Sequence, residues 1–151
     1  PLDKTKQLFK ETESFSSIDI KEFCLLYIMV NNLDFFYQRS DLLENVKFFK
    51  KENGLVFDKI LECLKNGNLD SLQIDDQLLD QIEKYANIKH IVQKDDKDES
   101  KIVEIFNNIK SELKIHDQEL RIQELESKFA EDFNQNTFDE INRLKKEQNI
   151  N

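Results

Sequence analysis

The sequence is poor in the residues that break helices and build tight turns. Its 151 residues include two glycines, one proline and no tryptophan. Because glycine and proline dominate tight turns, little material is present for β-hairpins or for glycine-rich loops that cradle phosphate groups. The sequence therefore predicts an all-α fold.

Long hydrophobic runs and clustered cysteines are also missing. The apolar run at residues 23–30 is far shorter than the roughly 20 residues that a membrane span needs. It is neither N-terminal nor followed by a small-residue cleavage site, so it does not resemble a signal peptide. Cys24 and Cys63 have no companion at metal-ligand spacing, which predicts two buried apolar side chains in a reducing, cytoplasmic setting.

The chain has fewer basic than acidic residues. The chain has 22 lysines and arginines against 31 aspartates and glutamates, which gives a formal net charge of -9. Affinity for nucleic acid rests mostly on basic side chains that neutralise phosphates. We therefore expect no direct nucleic-acid ligand. The short apolar run leads us to expect no membrane partner either.

No set of residues has the pattern of an active site or a cofactor site. Glu112 and His116 share a helix face, but a di-iron bundle needs a Glu-x-x-His pair on each of two helices. Residues 94–99 are mostly acidic but lack the glycine and the alternating ligands of an EF-hand loop. We predict no cofactor, no metal and no catalysis for this chain, with a di-metal enzyme as the least favoured alternative.

The first half of the chain has the apolar spacing of several helices. Residues 1–17 are polar and indicate a short helix or a loosely packed arm. Asp19 and Glu22 have capping-box spacing, which predicts a helix from about residue 20. Its run at 23–30 is apolar on all sides, which predicts a helix surrounded by others. Further helices are predicted at about 33–37, 53–64 and 75–85.

The second half predicts one very long helix and a shorter one. Apolar positions recur at alternating steps of four and three from Ile102 to Leu120, and a neighbouring stripe begins at Ile122. One helix is therefore expected over about 97–131. After an interruption, Asn136 or Thr137 would cap a last helix that ends at about residue 148.

These patterns divide the chain into two parts. Residues 1–96 are predicted to form a helical bundle subdomain with an N-terminal arm, and residues 97–151 a long helix and a C-terminal helical hairpin. Short helices cannot cover so long a helix along its whole length, so the hairpin is expected to protrude. The chain opens at Pro1 rather than at a methionine, which indicates a fragment of a longer protein.

Two short helices that face each other cannot hide all the apolar side chains of this hairpin. We predict that the uncovered ones bind a partner protein. The candidate contacts are Phe129, Phe133, Phe138, Ile141 and Leu144, with Arg121, Arg143 and Lys145 as polar rim residues. In the competing interpretation, the apolar residues form only the small core of the hairpin itself.

The order of these parts resembles the C-terminal helicase-binding domain of bacterial replicative primase, DnaG. An apolar helix runs into asparagines at residues 25–33 (LLYIMVNNL), where family members commonly have Asn-Pro and this chain has Asn32-Leu33. The likeness spans about residues 19–148. It continues through 43–46 (LENV), 55–64 (LVFDKILECL), 118–126 (QELRIQELE) and 138–144 (FDEINRL).

The resemblance implies a helical bundle joined by a long helix to a C-terminal hairpin. In that family the hairpin docks on the N-terminal domains of the DnaB-type hexameric helicase, while the bundle modulates the helicase during primer synthesis. The zinc-binding domain and the polymerising domain of such a primase would precede Pro1. This chain would then be the non-catalytic, cytoplasmic part of a DNA-directed RNA polymerase.

A second function stays open. The stripe from Ile102 to Leu120 also suits a helical scaffold or coiled-coil protein that associates with itself and has no role in replication. Such a scaffold would sediment as a dimer, whereas the helicase-binding domain is expected to be monomeric or only weakly self-associating.

Overall fold

The computed structural model describes residues 15–88, 98–131 and 135–150. Within these ranges all regular structure is helical, which confirms the predicted all-α fold. Most of the predicted N-terminal arm, up to residue 14, lies outside the described residues. Two short 3₁₀ turns occur at Ser40–Leu43 and Leu69–Ser71. The described α-helices are α1 Ser17–Asn31, α2 Leu33–Gln38, α3 Lys51–Asn66, α4 Asp76–Tyr85, α5 Glu99–Glu131 and α6 Gln135–Ile150.

The start of α1 differs from the prediction. Ser16 is the N-cap, because its hydroxyl accepts a hydrogen bond from the Asp19 amide at 3.2 Å. The Asp19 carboxylate in turn accepts from the Ser16 amide at 3.0 Å. The predicted capping box of Asp19 and Glu22 is therefore wrong. Serine caps as well as aspartate does, and the box is shifted by one helical turn toward the N-terminus.

Helix α1 is the centre of the bundle. The side chains from Phe23 to Met29 are all buried, which confirms the prediction of a helix that is apolar on all sides. It packs mainly against α3 and α4. At its N-terminal end the Phe15 ring contacts Phe23 and Tyr85, with ring centroids 5.2 and 4.7 Å apart.

The two asparagines that follow α1 explain where it ends. The Asn31 side chain donates to the Tyr27 carbonyl at 2.8 Å, and the Asn32 side chain donates to the Ile28 carbonyl at 2.9 Å. The Ile28 carbonyl is one of those that the last turn leaves without an i+4 donor, because the Asn32 amide bonds the Met29 carbonyl instead. The asparagines therefore act as a stop and lead directly into α2.

Glu22 of α1 is fully buried and holds the start of α3. Its carboxylate accepts hydrogen bonds from the Phe49 amide at 2.5 Å, the Lys50 amide at 3.3 Å and the Asn53 side chain at 3.0 Å. Lys50, the N-cap of α3, provides no side-chain cap of its own. Burial raises the pKa of Glu22 above its ordinary value, although these hydrogen bonds act in the opposite direction.

The two buried cysteines fit the prediction of small apolar side chains. Neither forms a disulfide in the described structure. The Cys24 thiol donates to the Asn87 side-chain carbonyl at 3.2 Å.

In the part of the chain that is described, no helix has both the length and the hydrophobicity needed to cross a bilayer.

The chain forms two compact units, which divide between Ile109 and Lys110, inside α5. The first turns of α5 belong to the bundle, because Ile102 and Phe106 are buried there and the Phe106 ring lies 5.0 Å from that of Phe36. The predicted division at 96/97 therefore precedes the one observed.

The apolar stripe of α5 is not continuous. Leu120 was predicted to belong to it, but its side chain is 37% exposed, and burial resumes at Ile122. A pattern of alternating fours and threes has a period of 3.5 residues, whereas a straight α-helix has 3.6. Such a stripe therefore rotates by about 20° per heptad and leaves the buried face after two or three repeats.

Candidate protein-binding surface on the C-terminal hairpin

The second unit, which starts at Lys110, contains the end of α5 and all of α6. Contacts across the two helices join them, as expected for a helical hairpin. The rings of Phe129 and Phe138 lie with their centroids 5.7 Å apart. The guanidinium of Arg121 lies 2.7 Å from the Glu140 carboxylate.

The predicted caps of the last helix are wrong, because α6 begins at Gln135, before both Asn136 and Thr137.

The interior of this unit contains two of the predicted partner contacts. Ile141 and Leu144 are only 6% and 4% exposed, and Ile122 of α5 is buried as well. Ile141 and Leu144 therefore lack the exposure that the predicted binding surface requires of them. Residues three apart share one face of a helix, and this face of α6 forms the interior. Ile141 and Leu144 instead form part of the small core of the hairpin, as in the competing interpretation.

The predicted aromatic contacts are placed differently. Phe138 is 44% exposed although its ring lies beside that of Phe129, which is partly buried. Phe133, which was also predicted to be a contact, lies outside the described residues. The two described phenylalanines therefore present one exposed ring supported from the side by another. We define Phe129 and Phe138 as the aromatic pair.

The three predicted rim cations are exposed, and each lies next to a glutamate. Arg143 has Glu140 at 3.8 Å and Glu147 at 3.4 Å on its own helix. Lys145 lies 3.0 Å from Glu126 of α5, and Arg121 pairs across the helices with Glu140. Exposed pairs of this kind contribute about 0–1 kcal/mol, so a partner's carboxylates could replace the glutamates at little cost.

Two further exposed apolar side chains lie in the second unit. Ile115 and Leu120 of α5 are both more than one-third exposed. Sequence reasoning did not single out Ile115, and it placed Leu120 in the buried stripe. The drift of a 3.5-residue repeat on a 3.6-residue helix was the available signal for Leu120. Both side chains add apolar area that the unit does not cover.

Among the described residues, no group of three or more histidines, cysteines, aspartates or glutamates is arranged to hold a metal ion. Glu112 and His116 both lie on α5, as predicted, and His116 is partly buried. The surface groups of the second unit described above are apolar and ionic.

Comparison with known proteins identifies no relative of this chain. No family model, no curated protein and no solved structure matches the chain. The likeness to the primase domain thus rests on the sequence segments given above. The aromatic pair, with the exposed ring of Phe138, and its charged neighbours are properties of the chain's own residues.

Proposed function

We propose that this chain is a non-catalytic protein-binding domain of a DNA primase. Its C-terminal hairpin docks on the N-terminal domains of a DnaB-type hexameric helicase, and its bundle modulates the helicase during primer synthesis. The helicase as partner is taken from the sequence resemblance. The single observation that carries the docking role is the 44% exposure of Phe138 beside Phe129.

The physical argument starts from what an exposed aromatic side chain can do in an interface. Phenylalanine combines a large apolar surface with few rotatable bonds, so its burial by a partner is favourable and costs little side-chain entropy. Aromatic anchors that fill a partner's pocket commonly dominate binding energy. Phe129 limits the positions of the Phe138 ring, because the two rings are in contact. Less side-chain conformational entropy is then lost when the partner binds.

The rim residues contribute to specificity more than to strength. Arg121, Arg143 and Lys145 surround the hairpin helices with exposed cations that already lie next to carboxylates. Charged groups at an interface rim mainly affect the association rate and the choice of partner. Acidic side chains of the helicase would have to take the places of Glu126, Glu140 and Glu147 beside these cations.

The test is direct binding to the purified DnaB-type helicase of the same organism, measured by fluorescence anisotropy of the labelled chain. The double variant Phe129→Gln/Phe138→Gln should weaken binding by about ten-fold or more, because it removes both anchors. The matched control is Leu55→Gln, which removes a 53% exposed apolar side chain from the bundle. Circular dichroism should show unchanged helix content for both variants.

Two outcomes would contradict the proposal at different levels. If the double variant binds as tightly as the unaltered chain, the aromatic pair is not the contact surface. If the unaltered chain does not bind the helicase at all, the assignment of the partner is wrong, whatever the hairpin does.

The alternative function is a self-associating helical scaffold. It is favoured by one observation, the exposure of Ile115 and Leu120 in the same unit as Phe138, which would suit a second copy of the chain. Sedimentation equilibrium separates the two functions. We expect a monomer over the micromolar range, and a stable dimer that Leu120→Gln disrupts would favour the scaffold.

A further inference from the structure

The bundle contains an open groove that the hairpin proposal does not use. Its floor is aliphatic and comes from the end of α1, the start of α2, the turn after α3 and helix α4. The groove has a volume of about 650 Å³. Each floor side chain is partly buried, so one side packs against the bundle and the other faces the groove. These side chains are Val30, Leu33, Leu69, Leu72, Ile74 and Leu79.

A second depression of about 400 Å³ shares part of this floor and extends it. Val30, Leu33 and Leu69 line both, so the two form one elongated apolar surface. Phe35 and Ile102 continue the apolar lining at the far end. All of these residues belong to the first compact unit. We call the combined feature the acidic groove, because of the residues at its edges.

The charges along the acidic groove have one sign. Its described lining contains five acidic residues and no lysine, arginine or histidine. The chain as a whole has 22 basic residues against 31 acidic ones. Among the described residues the four aspartates of the groove form no ion pair. The five acidic residues are Asp34, Asp70, Asp75, Asp76 and Glu99.

Two amide groups add hydrogen-bond acceptors to the same surface. Asn31 and Asn32 line the second depression, and the nitrogen of each side chain donates to a carbonyl of α1. This geometry uses one of the two N–H donors of each amide and leaves the side-chain oxygens as acceptors. The edges of the groove are therefore suited to ligands rich in N–H donors and positive charge.

The backbone of the ligand is restricted as well. The described part of the bundle has no strand, so no sheet edge is available to pair with an extended peptide. An extended peptide would leave its amides without partners above the aliphatic floor, which costs free energy. A helix satisfies its own backbone hydrogen bonds and can turn an apolar face to the floor and basic residues to the edges.

We propose that the acidic groove binds a basic amphipathic α-helix of a partner protein. Aliphatic side chains at positions i, i+3, i+4 and i+7 of that helix lie on the floor, and its lysines and arginines lie against the aspartates at the edges. This site is separate from the hairpin and does not depend on the helicase assignment. It makes the domain a connector with two protein-binding surfaces.

The test uses a fluorescein-labelled 18-residue synthetic peptide in which leucines at helical spacing form one face and lysines the other. Its control is a scrambled peptide with the same composition and no amphipathic face. The groove variant is Asp70→Lys/Asp76→Lys, and the matched control variant is Asp58→Lys/Glu62→Lys on the exposed side of α3. Both variants change the net charge by the same amount, and all four residues are exposed.

We expect the unaltered chain to bind the amphipathic peptide at least ten-fold more tightly than the scrambled one. The groove variant should lose about ten-fold in affinity, since two attractions become repulsions, and the control variant should lose less than about two-fold. In amide NMR spectra the peptide should shift signals from residues 69–79 more than signals from α6.

Four results would overturn the proposal. Equal binding of the two peptides, or equal losses in the two variants, would mean that only the overall negative charge is recognised. Peptide-induced shifts confined to the hairpin would place the binding elsewhere. Self-association of the unaltered chain that the groove variant abolishes would identify the occupant as a second copy.

Discussion

Helices α1 and α6 are similar in length but are held in opposite ways. Every residue of α1 from Glu22 to Met29 is buried. Of the described side chains of α6, only Ile141 and Leu144 are buried, and Glu140, Arg143, Lys145 and Glu147 form ion pairs. One helix is fixed from all sides, whereas the other is fixed along one narrow face.

This difference assigns different tasks to the two units. Burial of apolar surface stabilises by about 25 cal/mol per Å², whereas exposed ion pairs add little. The bundle around α1 therefore supplies most of the free energy of folding, and the hairpin is the part that opens most easily. A modestly stable hairpin with an exposed phenylalanine is suited to adapt to a partner, while the bundle keeps its shape.

The largest expected effect tests the bundle. Phe36→Ala should lower the free energy of unfolding by about 3–5 kcal/mol, because the fully buried ring packs against Phe106. The neighbouring Tyr37 is exposed, so Tyr37→Ala should cost less than about 1 kcal/mol. Urea unfolding followed by circular dichroism measures both variants. Similar losses in the two would mean that burial does not determine the stability of this unit.

The next effect tests whether the hairpin opens on its own. Leu144→Ala removes a buried side chain of α6 and should cost about 2–4 kcal/mol locally. Hydrogen exchange should then show faster exchange of α6 amides, with the amides of α1 unchanged. Lys146→Ala, two residues away on the exposed face, serves as the control. An equal loss of protection in α1 would contradict the contrast between the units.

The third effect concerns the buried carboxylate of α1 and depends on pH. The pKa of Glu22 is raised in the folded protein, so folding favours its protonated form. Its contribution to stability is therefore fully present below the unfolded pKa near 4.5 and is lost as pH rises through the higher folded value. Glu22→Gln does not ionise, so its stability relative to the unaltered chain should increase as pH rises from 4.5.

The measurement for Glu22 is the free energy of unfolding in urea at several pH values. Glu52→Gln, an exposed change on α3, is the control and should leave the pH profile nearly unchanged. If the profiles of the Glu22→Gln variant and the unaltered chain run parallel, ionisation of Glu22 does not oppose folding.

Replacing either of the two glycines of the chain by alanine should change the stability by a smaller amount, with a loss at one position and a gain at the other. Gly67 ends α3 in the left-handed conformation at φ 70°, and a side chain there would be strained. Gly67→Ala should therefore destabilise by about 1 kcal/mol. Gly54 lies inside α3, where an added Cβ would meet Phe48 at an ordinary 3.8 Å. Gly54→Ala should stabilise by about 0.5–1 kcal/mol, as thermal unfolding can show.

The smallest expected effect tests the ion pairs of the hairpin. Arg121→Ala should cost no more than about 0.5 kcal/mol, since both partners of its pair with Glu140 are substantially exposed. The loss should shrink further at 1 M salt, where charges are screened within about 3 Å. A double-mutant cycle with Glu140→Ala isolates the pair. A coupling above about 2 kcal/mol would show that α6 does not depend mainly on its narrow apolar face.

Sequence periodicity was sufficient for the helices but not for their contacts. The spacing of apolar residues predicted every described helix, because burial imposes a local period on the chain. Ser16 was overlooked as the cap because two overlapping residue pairs had suitable spacing. Periodicity could not indicate that Glu22 would be buried, since its hydrogen-bond partners follow it by 27 to 31 residues.

The candidate site was predictable only in part. The charged and aromatic residues of the hairpin were identified, because amphipathic spacing shows which residues share a face. Spacing does not show how much of that face the neighbouring helix covers. Ile141 and Leu144 are therefore interior, whereas Phe138 is exposed. The acidic groove was not predicted at all, since its floor joins four segments that are separated in the chain.

The hydrogen bonds of Glu22 also imply an order of events as the chain is synthesised. Helix α1 leaves the ribosome before α3, so the carboxylate is at first hydrated and ionised. The backbone amides of Phe49 and Lys50 reach it only later. Until then these two amides, just before α3, lack the acceptor that they have in the folded protein. Docking of the two helices therefore supplies this acceptor in the same step in which the carboxylate loses its water.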